Sequence, residues 1–363
     1  MKSQSRLIGL DALRGLAAVV VMLGHYTNRI HEIYPELPDT FFRLDTHLAA
    51  SRLLFMLSGF VVFLSWERGK NPVDFIKARF SRLFPAFWAS VLFTFAVIKL
   101  FDLPGREIGF RNMLVNLTMV PKFFEHPAVD GAYWTLQIQL FFFASLFLIA
   151  LIGGKKKFDW ILLSWLSFSF IYVLVAPRVG FAESDYAVKL EELLNLPYMW
   201  IFACGILLAR WQQTQKWQYL AQIGFALGIG HFWVGKMDAL ACGALCVVLW
   251  LACNGRLTFL HHKWLLSLAS ISYCLYLVHQ NFGYVIIRGV VAKGGDIHLG
   301  IGLAIAASVA VSILLTYGIE QPAAKWLQSK KRVPAAVAVT IEAPTTLPAA
   351  VHYHGGRRHL ELG

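Results

Sequence analysis

Charge is what this chain has least of. Only 15% of its 363 residues are Asp, Glu, Lys or Arg, against about 25% in a soluble domain. With 57% hydrophobic residues and a mean hydropathy of +0.57, that deficit excludes an ordinary water-soluble globule. Cysteine is scarce as well. There are five, an odd number, in or beside apolar segments. No CxxC and no Cys/His metal spacing accompanies them, so they read as small packing residues, with no metal site expected. No internal repeat of about 20–50 residues occurs, which argues against an array of repeated units. Basic residues outnumber acidic ones, 33 to 21, but they stand in short clusters between apolar runs. The excess therefore marks membrane topology, and no nucleic-acid partner is expected.

What is present is a series of apolar stretches of about 17–25 residues, the length that crosses a bilayer as a helix. Ten such cores are predicted, at 7–26, 47–66, 82–101, 134–152, 158–176, 193–209, 217–234, 238–253, 265–287 and 299–319. The fold class expected is all-α integral membrane, with about ten transmembrane helices. Placing both termini in the cytoplasm puts Lys and Arg on the inside by roughly two to one, the favoured asymmetry. Trp66, Trp134, Trp160, Trp200, Trp217, Trp264 and Trp326 near helix ends suggest interfacial belts. Residues 1–327 form the expected membrane domain. The Ala-, Val-, Pro- and Thr-rich stretch 328–363 has no helical period and reads as a disordered cytoplasmic tail. Asp11 and Arg14 interrupt the first core, which speaks against a removable signal peptide.

Those two charges, with His25, are the first candidate site. An ionisable group at a membrane centre costs about 2.5–3.5 kcal/mol or more, so it normally faces protein or a wet cavity. Positions 11, 14, 18, 21 and 25 advance by threes and fours and share one helical face. Arg14 and His25 lie roughly 16 Å apart along the axis and about 20° apart around it. Histidine suits proton transfer near neutrality, as general base or transient nucleophile. Asp11 and Arg14 can also pair with each other across one turn.

Further along, Arg79 and Arg82 in RFSRLFP share a face and offer two guanidinium forks, for phosphates or for membrane anchoring. Ser272, Tyr276 and His279 follow i, i+4, i+7 in the ninth helix, where hydroxyls and an imidazole can line a cavity or bond helices together. Glu320, just before the helix-stopping Pro322, needs a cationic partner, for which Arg14, Arg79 and Arg82 are candidates. Trp134 completes the set of cavity candidates. Ser58 and Gly59 in LFMLSGF permit close helix approach.

In this order, LDALRGLAAVVVMLGHY, LFMLSGF, RFSRLFP, YWTL, SYCLYLVH and IEQP resemble acyltransferase family 3, bacterial membrane proteins that O-acylate extracytoplasmic glycans and some other acceptors. The resemblance covers about Leu7 to Trp326. It implies a ten-helix fold in the bacterial cytoplasmic (inner) membrane, moving an acyl group from cytosolic acyl-CoA across the bilayer. Acetyl-CoA is the expected co-substrate, and a glycan or lipid-linked glycan the expected acceptor. It implies that His25 is the catalytic residue, Arg14 its motif partner, and Arg79 with Arg82 the acyl-CoA-handling pair. One position departs from the family. Many members carry a glutamate about five residues after the tryptophan of the fourth helix, where this chain has Gln139. Glutamine carries no proton for exchange, so a carboxylate role there would fall to Glu320 or Asp11. A secondary transporter is the alternative reading, but the paired, broken-helix halves common in transporters are absent from the pattern. A third is a non-catalytic partner in glycan assembly. The sequence does not specify an oligomeric state.

Overall fold

A computed structural model describes residues 2–45 and 47–329. Ten long helices carry the fold: α1 (Lys2–Gly24), α2 (His47–Arg68), α3 (Pro72–Phe101), α4 (Trp134–Leu151), α5 (Phe158–Val175), α6 (Met199–Thr214), α7 (Gln218–Val234), α8 (Lys236–Cys253), α9 (Lys263–Ala292) and α10 (Ile297–Leu315). No strand occurs among the described residues. The tail predicted to be disordered lies, from position 330 on, outside them.

Eight of these helices, with their short extensions, are long and apolar enough to cross a membrane. The other two of the predicted ten are α7, of 17 residues, and α9, of 30. Hydropathy passes over α9 for a physical reason. It packs against α1, α3 and α10, so Ser272, His279, Gln280 and Asn281 are buried in protein and meet partners in place of lipid.

The helices approach closely where glycine removes a side chain. A Cβ on Gly205 of α6 would lie 2.0 Å from the Met56 carbonyl of α2, and one on Gly59 would lie 2.2 Å from the Phe202 carbonyl of α6. Gly15 likewise brings α1 onto α9, where a Cβ would meet the Ala269 nitrogen at 2.7 Å. That contact sets the depth of everything α1 carries. Backbone cannot yield as a side-chain tip does, and overpacking typically costs about 1–3 kcal/mol. Gly205→Ala is therefore expected to lower the midpoint of thermal unfolding in detergent by several degrees. Gly302→Ala is the control, since nothing lies within 4 Å of its added Cβ. Equal midpoints for the two variants would refute the backbone-contact account.

Several sequence expectations are corrected. Trp66 and Trp200 are 1% and 0% exposed and sit in the core. Their indoles donate to the Leu146 carbonyl (2.7 Å) and the Pro197 carbonyl (2.8 Å). Trp160, Trp217, Trp264 and Trp326 are exposed, as a belt requires. α3 begins ten residues before the predicted core, capped by the Asn71 side chain, and runs through Pro85. The arginine pair thus lies within a helix. The turn between α7 and α8 is Gly235 alone, whose φ of +88° reverses the chain in one residue. Pro322 does not stop the last helix. A π-helical turn at Thr316–Glu320 shifts the hydrogen-bonding frame, and Gln321–Ser329 continues helical beyond it. All five cysteines are buried and none forms a disulfide among the described residues, as packing residues would be.

Candidate active site

α1 ends at Gly24, just before the first candidate imidazole. The turn His25–Arg29 is π-helical, a local widening that is frequent at functional sites. His25 is 8% exposed, and its Nδ1 lies 2.7 Å from Nε2 of His279 on α9. The ring planes differ by 9° with centroids 4.9 Å apart. That centroid separation exceeds the N···N distance by about two ring radii, so the imidazoles are edge to edge and share an in-plane hydrogen bond.

The neighbours assign the protons. His279 Nδ1 lies 2.9 Å from the Tyr276 carbonyl and 3.1 Å from the Leu275 carbonyl. A carbonyl only accepts, so this nitrogen carries hydrogen and Nε2 is bare. Nε2 therefore accepts from His25 Nδ1–H. The lone pair of the His25 ring is then on its Nε2, the nitrogen able to take a proton or attack a carbonyl. Tyr26 secures the arrangement, its hydroxyl donating to the His279 carbonyl at 2.6 Å and accepting from Ser308 at 2.9 Å. Gly283 makes room for it, since a Cβ there would sit 2.2 Å from the Tyr26 oxygen.

Below the pair runs a cavity of about 160 Å³ between α1, α2, α3, α4 and α9. One end is open, bordered by the exposed residues Asp11 and Arg82 together with Arg14 and Arg79. Arg14 donates to Ser272 Oγ and the Ala269 carbonyl, both at 3.3 Å, and lies 3.4 Å from Asp11. Arg79 stacks over Phe75 and Phe143 at 5.4 and 5.8 Å, and its Nε is buried with no hydrogen-bond partner. Three guanidinium groups against one carboxylate make this mouth strongly positive. Midway, Gln139 donates to Ser58 at 2.9 Å. The far end is closed by the buried residues Ser51, Thr135 and Tyr276. The Tyr276 ring is 5.7 Å from that of His279.

The cavity thus gathers Asp11, Arg14, Arg79, Arg82, Ser272 and Tyr276 from positions scattered along the sequence. His25 and His279 are not in its lining; they stand beyond Tyr276. Trp134 does not line it either, because its half-buried indole packs on Phe55 and Tyr198 at 6.0 and 5.7 Å. Glu320 is also outside the lining. Among the described residues it makes no salt bridge with an arginine; its carboxylate accepts from the Cys274 thiol at 3.3 Å, within the longer-range field of Arg82 and Arg14.

Three contributors were missed by sequence reasoning: Ser51, Thr135 and Asp130. Thr135 stands one helical turn before Gln139, a spacing that could have marked it. Asp130 caps the entry to α4, accepting from the Ala132 amide (2.9 Å) and, across to α9, from the Asn281 amide (3.0 Å). This holds the α4 entry beside the histidines. Burial pushes its carboxyl up to about 6, against the pull of those amides and of Arg106.

A family model described as an acyltransferase domain matches residues 7–317. The exopolysaccharide production protein ExoZ of Rhizobium meliloti (strain 1021) is 30% identical over 284 residues, covering 72% of this chain and 82% of that relative. No solved structure matches the chain.

Proposed function

This chain belongs to acyltransferase family 3, and on that premise we propose that it transfers an acyl group from acyl-CoA to a hydroxyl of an extracytoplasmic glycan. Acetyl is the group proposed, and a polysaccharide or its lipid-linked precursor the acceptor, by analogy with the exopolysaccharide production relative. The proposed setting is the bacterial cytoplasmic membrane, with the arginine mouth facing the cytosol.

The observation that carries this reading is the shape and polarity of one cavity. It opens among Arg14, Arg79 and Arg82 and ends at a buried polar wall beside two bonded imidazoles. Guanidinium forks suit the phosphates of coenzyme A, and the unsatisfied Nε of Arg79 is a donor awaiting an acceptor. The apolar walls (Leu54, Phe55, Val61, Leu136) suit the slender thioester arm. At the far end His25 Nε2 deprotonates the acceptor hydroxyl or attacks the thioester carbonyl itself. Acid quench with labelled acyl-CoA and no acceptor separates these routes, since labelled protein appears only in the second.

The test of the function is turnover of acetyl-CoA by the purified full-length protein with a panel of surface glycans. Arg79→Ala and Arg82→Ala are each expected to raise KM for acetyl-CoA roughly tenfold or more, as loss of a charge-assisted contact implies, with a smaller change in kcat. A wild type that neither binds nor consumes acyl-CoA would refute the reading.

A further inference from the structure

The buried end of the cavity is made of three hydroxyls from three helices: Ser51 of α2, Thr135 of α4 and Tyr276 of α9. We propose that this cluster holds the carbonyl oxygen of the donor thioester, with the Tyr276 O–H as the group that stabilises the oxyanion. The inference rests on the acyl-CoA reading above and assigns the residues of its chemical step.

Proton counting supports it. Thr135 Oγ1 donates to the Ala132 carbonyl at 3.0 Å, so its single hydrogen is spent there. Its oxygen, 2.8 Å from the Tyr276 hydroxyl, therefore acts as acceptor. The Tyr276 hydrogen is shared between Thr135 and the Ala132 carbonyl, the latter at 3.3 Å, and Ser51 lies within hydrogen-bonding reach of the same oxygen. Both acceptors of the Tyr276 proton are neutral, and one is long. A developing oxyanion is a stronger acceptor, because a charge-assisted bond is roughly twice as strong as a neutral one. Turning the phenol proton towards the cavity thus exchanges a weak bond for a strong one as negative charge appears.

Position supports it equally. Between the arginine mouth and this wall the lining is mostly apolar, apart from the mutually bonded Gln139 and Ser58. A thioester carbonyl entering from the mouth finds its polar partners at the closed end, one helical turn of α9 from His279. The step then balances. The acceptor oxygen bonds to the carbonyl carbon as its proton passes to His25. The oxyanion is held by Tyr276. Collapse breaks the C–S bond, and the departing thiolate takes the proton from His25, leaving an ester and free coenzyme A.

The test compares wild type with Tyr276→Phe, which keeps the ring and removes the donor, in the full-length protein with acetyl-CoA as donor. Loss of one oxyanion donor typically costs about 10²–10³ in kcat. That fall is expected here, with KM for acetyl-CoA and the calorimetric Kd for coenzyme A changed by less than about threefold, since the oxyanion contact is absent from the ground state. Thr135→Val, which leaves the phenol proton misdirected, is expected to give a smaller loss of the same kind. It serves as the second variant should the phenylalanine protein fold poorly. A kcat within about threefold of wild type in both variants overturns the proposal. So does a raised KM with kcat retained, which would make the cluster a wall of the binding site only. These outcomes leave the acyl-CoA reading standing. A wild type inactive on acyl-CoA overturns both.

Discussion

Acyl transfer by the His25→Ala protein is expected to fall by about 10²–10⁴-fold, the contribution of a positioned general acid–base, and further if the imidazole carries the acyl group. The expectation follows from the proton assignment. The carbonyls of Leu275 and Tyr276 fix hydrogen on His279 Nδ1, His279 accepts from His25 Nδ1, and the basic nitrogen of His25 is thereby Nε2. Because Arg14, Arg79 and Arg82 lie at the other end of the cavity, coenzyme A binding measured by calorimetry is expected to survive the substitution. Activity and binding must therefore separate. A variant that loses both has lost its fold, and one that keeps wild-type kcat places the chemistry elsewhere.

The second large effect concerns His279, which the proposed mechanism makes a positioning residue acting through His25. Its bare Nε2 is what selects the His25 tautomer, and the pair shares an in-plane bond. His279→Leu removes the acceptor. It leaves His25 Nδ1–H unsatisfied in a buried site and frees the ring to adopt the unproductive tautomer. A loss of about 10²–10⁴ in kcat is expected, comparable to that of the base itself, since the two act as a unit. His279→Gln is the discriminating variant. Its amide oxygen can accept from His25 Nδ1, so it is expected to regain at least tenfold over His279→Leu and to show a shifted pH–rate profile. Equal rates for the leucine and glutamine proteins, with matched thermal unfolding, would mean that His279 fills space and directs nothing.

Gln139 also has a defined place. It bonds Ser58 partway along the cavity and reaches neither imidazole among the contacts described. The departure from the family glutamate thus falls on the cavity wall, away from the His25–His279 bond.

Much of this protein was legible from residue order. Apolar length against sparse charge dictated an all-helical membrane fold, because a backbone in lipid must satisfy its own hydrogen bonds. The three- and four-residue spacing on α1 placed Asp11, Arg14 and Ala18 on one cavity-facing side, and that face ends at His25. The i, i+4, i+7 spacing on α9 did the same for Ser272 and Tyr276, and that face continues to His279. Periodicity within one helix is a local property, so the sequence determines it alone.

What required the tertiary structure was every relation between helices. Nothing in residue order says that His25 would bond His279, 254 positions away, or that Ser51, Thr135 and Tyr276 would converge. Those contacts depend on helix depth and crossing, which are set by glycine contacts such as Gly15 on Ala269 and Gly205 on Met56. The sequence reading also erred where burial decided the outcome. Trp66 and Trp200 belong to the core, and Glu320 found a thiol in place of an arginine. A side chain's chemistry is written in the sequence, but its partner is chosen by packing. In this protein the catalytic proposal rests on that choice of partner.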